Sequence, residues 1–286
     1  MRRQTVRLRQ EFLERKGNEG VREAIHLRKQ QLRDAMEHMT PLPGHLKKDA
    51  TNLKKFVELD DDETKELRTT IDDEYANAGV EDPRILVTTS REPSGKLMEF
   101  VKEVRLMIPN ATRLNRGGTP VTQIMDIARR ESFTDVIVIG ESKGVPDSLT
   151  ISHLPIGPTI VFTIHNLVTR HEIEDCGPMS LQYPHLIFEN FQTAHGKRVA
   201  SILKYLFPVP KPEATRVCTF DNVDDYISFR HHTFEKKGKK TILTEVGPRF
   251  ELQPYRIVLG TLEMEDAETE WVLRPYMNTA KKRRLM

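Results

Sequence analysis

From Pro83 onward, apolar runs of strand length alternate with stretches of helical periodicity, and that alternation leaves few architectures open. Ile85-Leu86-Val87-Thr88-Thr89 and Asp135-Val136-Ile137-Val138-Ile139-Gly140 are short, rich in β-branched residues and almost free of charge. Such runs suit strands covered on both faces. Between them, Leu97, Phe100, Val101, Val104 and Met107 keep helical spacing from the start signal Pro93-Ser94-Gly95 to Pro109. Residues 112–115 form a short strand, Gly117-Gly118 a turn, and Ile124, Ile127 and Ala128 mark a second helix. Residues 149–154 and 159–164 read as two more strands. The predicted class is a layered α/β structure.

A second pass of the same kind begins near Pro184. Residues 185–188 read as a short strand or a turn, and 196–207 as a helix with Val199, Ile202, Leu203 and Leu206 on one face. Pro208-Val209-Pro210-Lys211-Pro212 is a stiff connector. Strands are predicted at 216–220, 226–234, 241–246 and 250–259, with the lysine-rich stretch 236–240 as a hairpin turn. The chain therefore divides into two α/β halves, about 83–165 and 184–264, with no close internal repeat. Residues 83–264 are the predicted globular domain.

Charge separates what lies outside it. Over 286 residues, 44 Lys and Arg face 42 Asp and Glu, a net of +2 that hides three blocks. Residues 1–48 carry +6, residues 49–82 carry −8, and Lys281-Lys282-Arg283-Arg284 end a 265–286 extension. Segregation of this kind belongs to interaction tails. The first block reads as a basic amphipathic arm: Leu8 and Phe12 lie four apart, and Val21, Ala24, Ile25, Leu32, Ala35, Met36 and Met39 follow helical spacing. Gly17 and Gly20 interrupt it, and Thr40-Pro41-Leu42-Pro43-Gly44 stops it. The helix either packs on its own domain or docks on a partner or RNA; the acidic, linker-like 49–82 behind it favours docking. The terminal basic cluster is either an import or RNA patch or a solvated end.

Enzyme chemistry finds no constellation. Ser94-Gly95-Lys96 lacks the leading glycine and following hydroxyl of a phosphate loop, and His171-Glu172 lacks the second zincin histidine. There is no Gly-x-Ser-x-Gly elbow and no Gly-x-Gly-x-x-Gly. Two cysteines, Cys176 and Cys218, exclude a disulfide scaffold. No run of 18 apolar residues is present, so no membrane partner is expected. No metal or cofactor is expected.

What remains are basic groups at loops and strand ends. Arg91 and Lys96 flank the first strand-to-helix turn, where helix amides favour anions. Arg113, Asn115, Arg116 and Gly117-Gly118 make a compact basic loop. On the long strand, alternation puts Arg230 and His232 on one face and Phe229 and His231 on the other. A basic and aromatic surface suits single-stranded or irregular RNA through phosphate contact and stacking; Phe229 as plain core is the competing reading.

Five motifs carry a resemblance: residues 82–91 (DPRILVTTSR), 109–117 (PNATRLNRG), 152–159 (SHLPIGPT), 227–232 (ISFRHH) and 245–252 (EVGPRFEL). Together they resemble the Brix-domain family of ribosome assembly factors, in the family's order, over about 83–264. Arg2-Arg3-Gln4, residues 12–16 and Asp72-Asp73-Glu74-Tyr75 resemble the branch that works in the U3 small nucleolar ribonucleoprotein of the small-subunit processome. The resemblance implies a Brix domain of two halves related by a pseudo-twofold, each similar to the anticodon-binding domain of class IIa aminoacyl-tRNA synthetases, with an N-terminal helical arm. It implies non-catalytic binding of U3 small nucleolar RNA and pre-rRNA, in the nucleus and nucleolus. The implied protein partners are a U3-associated scaffold phosphoprotein and a ribosomal-protein-S4-like protein, which the arm would meet through Leu8, Phe12, Val21, Ile25, Leu32 and Met36. Residues 247–250 match a stretch long taken as nucleic-acid-binding, which adds Arg249 to the candidate RNA contacts.

Overall fold

The computed structural model describes residues 81–237 and 240–274, with 24, 25, 27–36 and the single residues 38, 41, 44, 47, 74 and 75. The chain divides into two compact units, Met1–Glu81 and Asp82–Met286. In the first, residues 24–25 and 27–36 are helical. Leu32 and Ala35, three apart, are buried, whereas Ala24, Ile25, Leu27 and Met36 are exposed. The single apolar face expected from spacing is thus split between a narrow buried stripe and an exposed one.

The second unit runs β1 (Ile85–Thr89), α1 (Gly95–Met107), β2 (Ala111–Arg113), α2 (Val121–Arg130), β3 (Asp135–Ser142), β4 (Val145–His153) and β5 (Thr159–Val168). It continues β6 (His185–Glu189), α3 (Ala194–Tyr205), β7 (Arg216–Val223), β8 (Tyr226–Lys237), β9 (Lys240–Glu245), β10 (Arg249–Val258) and β11 (Thr269–Val272). Ser94 caps α1 by accepting from the Leu97 N–H at 3.3 Å, and Thr193 caps α3 by accepting from the Gly196 N–H at 3.0 Å. Residues 185–188, ambiguous in sequence, form a strand; β11 was not expected.

All the described strands join one sheet in the order β2-β1-β3-β4-β5-β10-β8-β7-β6, with β9 beside β8 and β11 beside β10. The connectivity repeats. β1 is parallel to β3, which turns back into β4 and β5; β6 is parallel to β7, which turns back into β8 and, after β9, β10. The last strands of the two sets, β5 and β10, pair antiparallel at the centre. An antiparallel pair of equivalent strands in one sheet is what a twofold perpendicular to that sheet produces. Among the described elements of the first half, β2 and α2 lack a counterpart in the second.

That symmetry puts α1 and α3 on the same face. Beneath them runs a row of phenylalanines: Phe100 of α1 meets Phe250 edge-on at 5.7 Å, Phe250 stacks on Phe229 at 4.6 Å, and Phe229, Phe220 and Phe188 follow at 5.1 and 5.0 Å. Burying each ring contributes roughly 2–3 kcal/mol. The connection from β1 to β2 runs one way along the sheet and that from β2 to β3 runs back, so right-handed crossovers place α1 and α2 on opposite faces. Accordingly Leu86 and Val136 pack with Ile124, Met125 and Ala128 of α2.

Candidate nucleic-acid interface

Because α1 leaves β1 toward one face and α2 leaves β2 toward the other, the loops after these two parallel strands diverge at their carboxyl ends. Open α/β sheets bind ligands at such switch points. Five of the predicted residues are here. Leu114 N–H donates to Val87 O at 2.9 Å, extending the pairing and aligning the loops. The Arg116 guanidinium bridges them, donating from Nε to Thr119 O at 3.2 Å and from Nη1 to Thr89 O at 3.4 Å. Burial, and then the neighbouring charge of Arg91, pull the Arg116 pKa below the usual arginine value. Arg113 donates through Nε and Nη2 to Asn115 Oδ1 at 3.2 and 2.8 Å, which leaves the exposed Asn115 its amide N–H groups as donors. Arg91 and Lys96 are exposed.

One part of the sequence reading needs correction. The start of α1 does not stand open to an external anion, because Glu141 from the end of β3 already occupies it. Its carboxylate accepts from the Ser94 N–H at 3.0 Å and from the Ser94 hydroxyl. The same β3–β4 turn brings a cation that the sequence reading missed: Gly144 O lies 3.4 Å from Ser94 Oγ, so exposed Lys143 stands beside the α1 start. The signal was present as Ser142-Lys143-Gly144 between two strand runs.

The other three residues lie on the second half. Phe229 and His231 are fully buried, so the core reading of Phe229 holds and it offers no ring to a base. Arg230 and His232 alternate to the side of β8 opposite Phe229 together with half-buried Phe234, over whose ring Lys236 Nζ sits at 5.9 Å. Arg230 Nη1 donates to Phe229 O at 2.8 Å. Arg249 grips Glu245 with both arms of its guanidinium, Nη2 to Oε2 being 2.6 Å. This pairing holds the Glu245 carboxyl below its usual range, with His232 and Arg230 adding to the effect. The charge of Arg249 is therefore largely answered within the fold. β1 and β8 are five strand spacings apart, about 24 Å, so the eight residues form two clusters and not one stripe.

The family model for the Brix domain matches residues 90–256, more than half of the chain and spanning both clusters. The chain belongs to the Brix domain family. It is 48% identical to the human U3 small nucleolar ribonucleoprotein protein IMP4 over 285 residues, 99% of this chain and 98% of that protein. It is 47% identical to the Schizosaccharomyces pombe U3 small nucleolar ribonucleoprotein protein imp4 over 280 residues, 96% of each. A crystal structure of a probable ribosomal biogenesis protein from Aeropyrum pernix K1 aligns with 60% of this chain and 96% of its own, at 22% identity and a TM-score of 0.47.

Of the predicted partner contacts outside the Brix match, Ile25 and Met36 are exposed and Leu32 is buried. Leu8, Phe12 and Val21 lie outside the described residues, as do most of the acidic linker and the basic tail.

Proposed function

We propose that this Brix protein is a non-catalytic RNA-binding and scaffold factor of the small-subunit processome, acting in the nucleolus on the pairing of U3 small nucleolar RNA with pre-rRNA. The observation that carries this reading is 48% identity, sustained over 99% of the chain, to a relative named as a U3 small nucleolar ribonucleoprotein protein. The chemistry is compatible with it. Pairing two RNA strands needs their phosphates neutralised and the strands held near each other, which raises effective concentration without any bond being made. The switch-point cluster Arg91, Lys96, Arg113, Asn115 and Arg116 supplies cations and amide donors for one strand, and Arg230 with His232 a second, distant contact. The scaffold phosphoprotein and the S4-like protein are the proposed protein partners.

Depletion followed by analysis of pre-rRNA tests the reading. Loss of 18S precursors is expected; loss of 25S or 28S precursors instead would assign the chain to large-subunit assembly. RNA contact is tested by the triple change Arg113→Ala, Arg116→Ala and Arg230→Ala. Each lost phosphate contact lowers the slope of log K against log salt by about 0.7–0.9; an unchanged affinity and slope would remove the RNA assignment.

A second reading, a protein platform with incidental RNA contact, is favoured by Ile25, Leu27 and Met36 standing 42%, 57% and 44% exposed on one helix. Under it, deleting residues 1–48 abolishes partner pull-down and leaves the RNA affinity of the core intact.

A further inference from the structure

The side chains of β9 are exposed from Lys240 through Thr244, and only Glu245 is half-buried. Among the described strands β9 pairs with β8 alone. Its register runs unbroken from Lys237↔Lys240 to His232↔Glu245, and the segment contains no proline. Two devices that usually blunt a sheet edge, a bulge and a proline, are thus missing. In the middle of the edge Ile242 and Leu243 are 45% and 62% exposed.

Two hydrogen bonds fix which way the backbone groups face. Val246 N–H donates to His231 O at 2.9 Å, toward β8, whereas Glu245 O accepts from Gly177 N–H at 2.7 Å on the other side. Alternation along a strand then turns the N–H and C=O of Thr241 and Leu243 away from β8, in line with Glu245. Gly177 makes the first bond of an added strand that its own chain does not continue. Residues 178–184 form no strand, and the carbonyls of Ser180 and Gln182 are committed to Arg216 Nη1 at 3.2 and 3.1 Å.

The occupant is set by charge and by geometry. Residues 236–240 hold four lysines at one end of this edge, with Lys236 and Lys240 exposed. A second copy pairing antiparallel about Leu243 would need the outward groups of Glu245, whose carbonyl Gly177 already takes. RNA has no alternating amide donors and acceptors to match the edge. We propose that the free edge of β9 takes up an extended, acidic segment of a partner protein as an additional strand. Main-chain bonds form at Thr241 and Leu243, apolar side chains cover Ile242 and Leu243, and carboxylates face Lys236 and Lys240. This goes beyond the RNA-binding reading and does not depend on it.

The test places a photo-reactive phenylalanine analogue at position 241 of the full chain, crosslinks it within the assembly that the tagged chain carries from cells, and identifies the attached segment by mass spectrometry. The expected product is an acidic protein segment of strand length. Leu243→Pro removes one outward N–H and none of the bonds to β8, so it should lower the crosslink yield at least tenfold while RNA affinity and Tm hold. Leu243→Lys, which keeps the backbone intact, should lower the yield in the same direction should the proline variant fold poorly. A crosslink to RNA, to a second copy or only within the chain, no crosslink at all, or full yield in both variants would overturn the proposal. The RNA affinity of the same variants reports on the proposed function separately.

Discussion

Arg216 Nε–H donates to His231 Nε2 at 2.7 Å, with both side chains buried. The bond fixes the imidazole tautomer: Nε2 offers its lone pair, so the ring proton is on Nδ1, which donates to Gly247 O at 2.9 Å. The rest of the guanidinium reaches Met107 O at 2.5 Å and the carbonyls of Ser180 and Gln182. A cation from β7 thereby closes the carboxyl end of α1, where the helix dipole favours positive charge, and ties the second half of the fold to the first. Arg216→Met leaves two buried acceptors, His231 Nε2 and Met107 O, without their donors, at about 1–3 kcal/mol each when uncompensated, and removes the half-buried bonds to Ser180 and Gln182 as well. We expect urea unfolding to show a loss of about 3 kcal/mol or more, with Arg216→Lys recovering little because an ammonium cannot fork between these groups. A loss below about 1 kcal/mol would show that the network is dispensable.

The same pair makes stability depend on pH. Burial, and next the charge of Arg216, push the His231 pKa down from 6.5 to about 4. The folded ring stays neutral while the unfolded ring takes a proton near 6.5, so between these values the unfolded state binds more protons. The contribution is fully present above about pH 6.5 and is lost as pH falls toward 4, reaching roughly 3 kcal/mol in all. Urea midpoints at pH 7.5 and 4.5 should differ more for the natural chain than for His231→Gln. Equal differences would mean that another group carries the acid sensitivity.

Glu141 accepts from the N–H and hydroxyl of Ser94, the cap of α1, and the exposed cations Arg91, Lys96 and Lys143 lie within three residues in sequence of one or other member of that pair. Glu141→Gln keeps an oxygen to accept from the Ser94 N–H and removes the negative charge bonded to the α1 cap. RNA affinity at low salt should rise severalfold, and the salt slope should steepen, because the α1 amides and three cations become available to phosphate. Filter binding from 50 to 300 mM salt measures both. Weaker binding by a folded variant would show that Glu141 positions the loop and does not compete with RNA.

Much of this was legible in the sequence, for identifiable reasons. The runs at 85–89 and 135–140 are strands buried on both faces, and the spacing of Leu97, Phe100, Val101 and Val104 follows the packed side of α1. The switch-point cluster emerged because its members sit within two loops, where neighbours in sequence are neighbours in space. What pairing decides was not legible. That Glu141 bonds the α1 cap Ser94 from 47 residues away, that Arg249 is spent on Glu245, and that Arg230 lies far from Arg116 all depend on strand order, which periodicity does not encode. Residues 185–188 were ambiguous because a five-residue edge strand is too short to show a period.

The 152–159 motif has a physical reason that yields a last prediction. Gly157 adopts φ +128°, a region closed to side-chain-bearing residues, and a Cβ there would stand 2.8–2.9 Å from the Gly260 backbone. The start of β5 and the end of β10, paired strands from opposite halves, meet at this point, and Thr159 Oγ1 ties them by donating to Gly260 O at 2.6 Å. The first atom of any side chain would push them apart. Gly157→Ala should therefore cost about 2–4 kcal/mol, the sum of backbone strain and overpacking. Gly95→Ala, at the first residue of α1 with open space around its Cβ position, should be neutral or gain up to about 1 kcal/mol. Urea unfolding of the two variants side by side separates them. Equal effects would mean that the 157–260 contact relaxes freely, and that the glycine serves something other than the join between the halves.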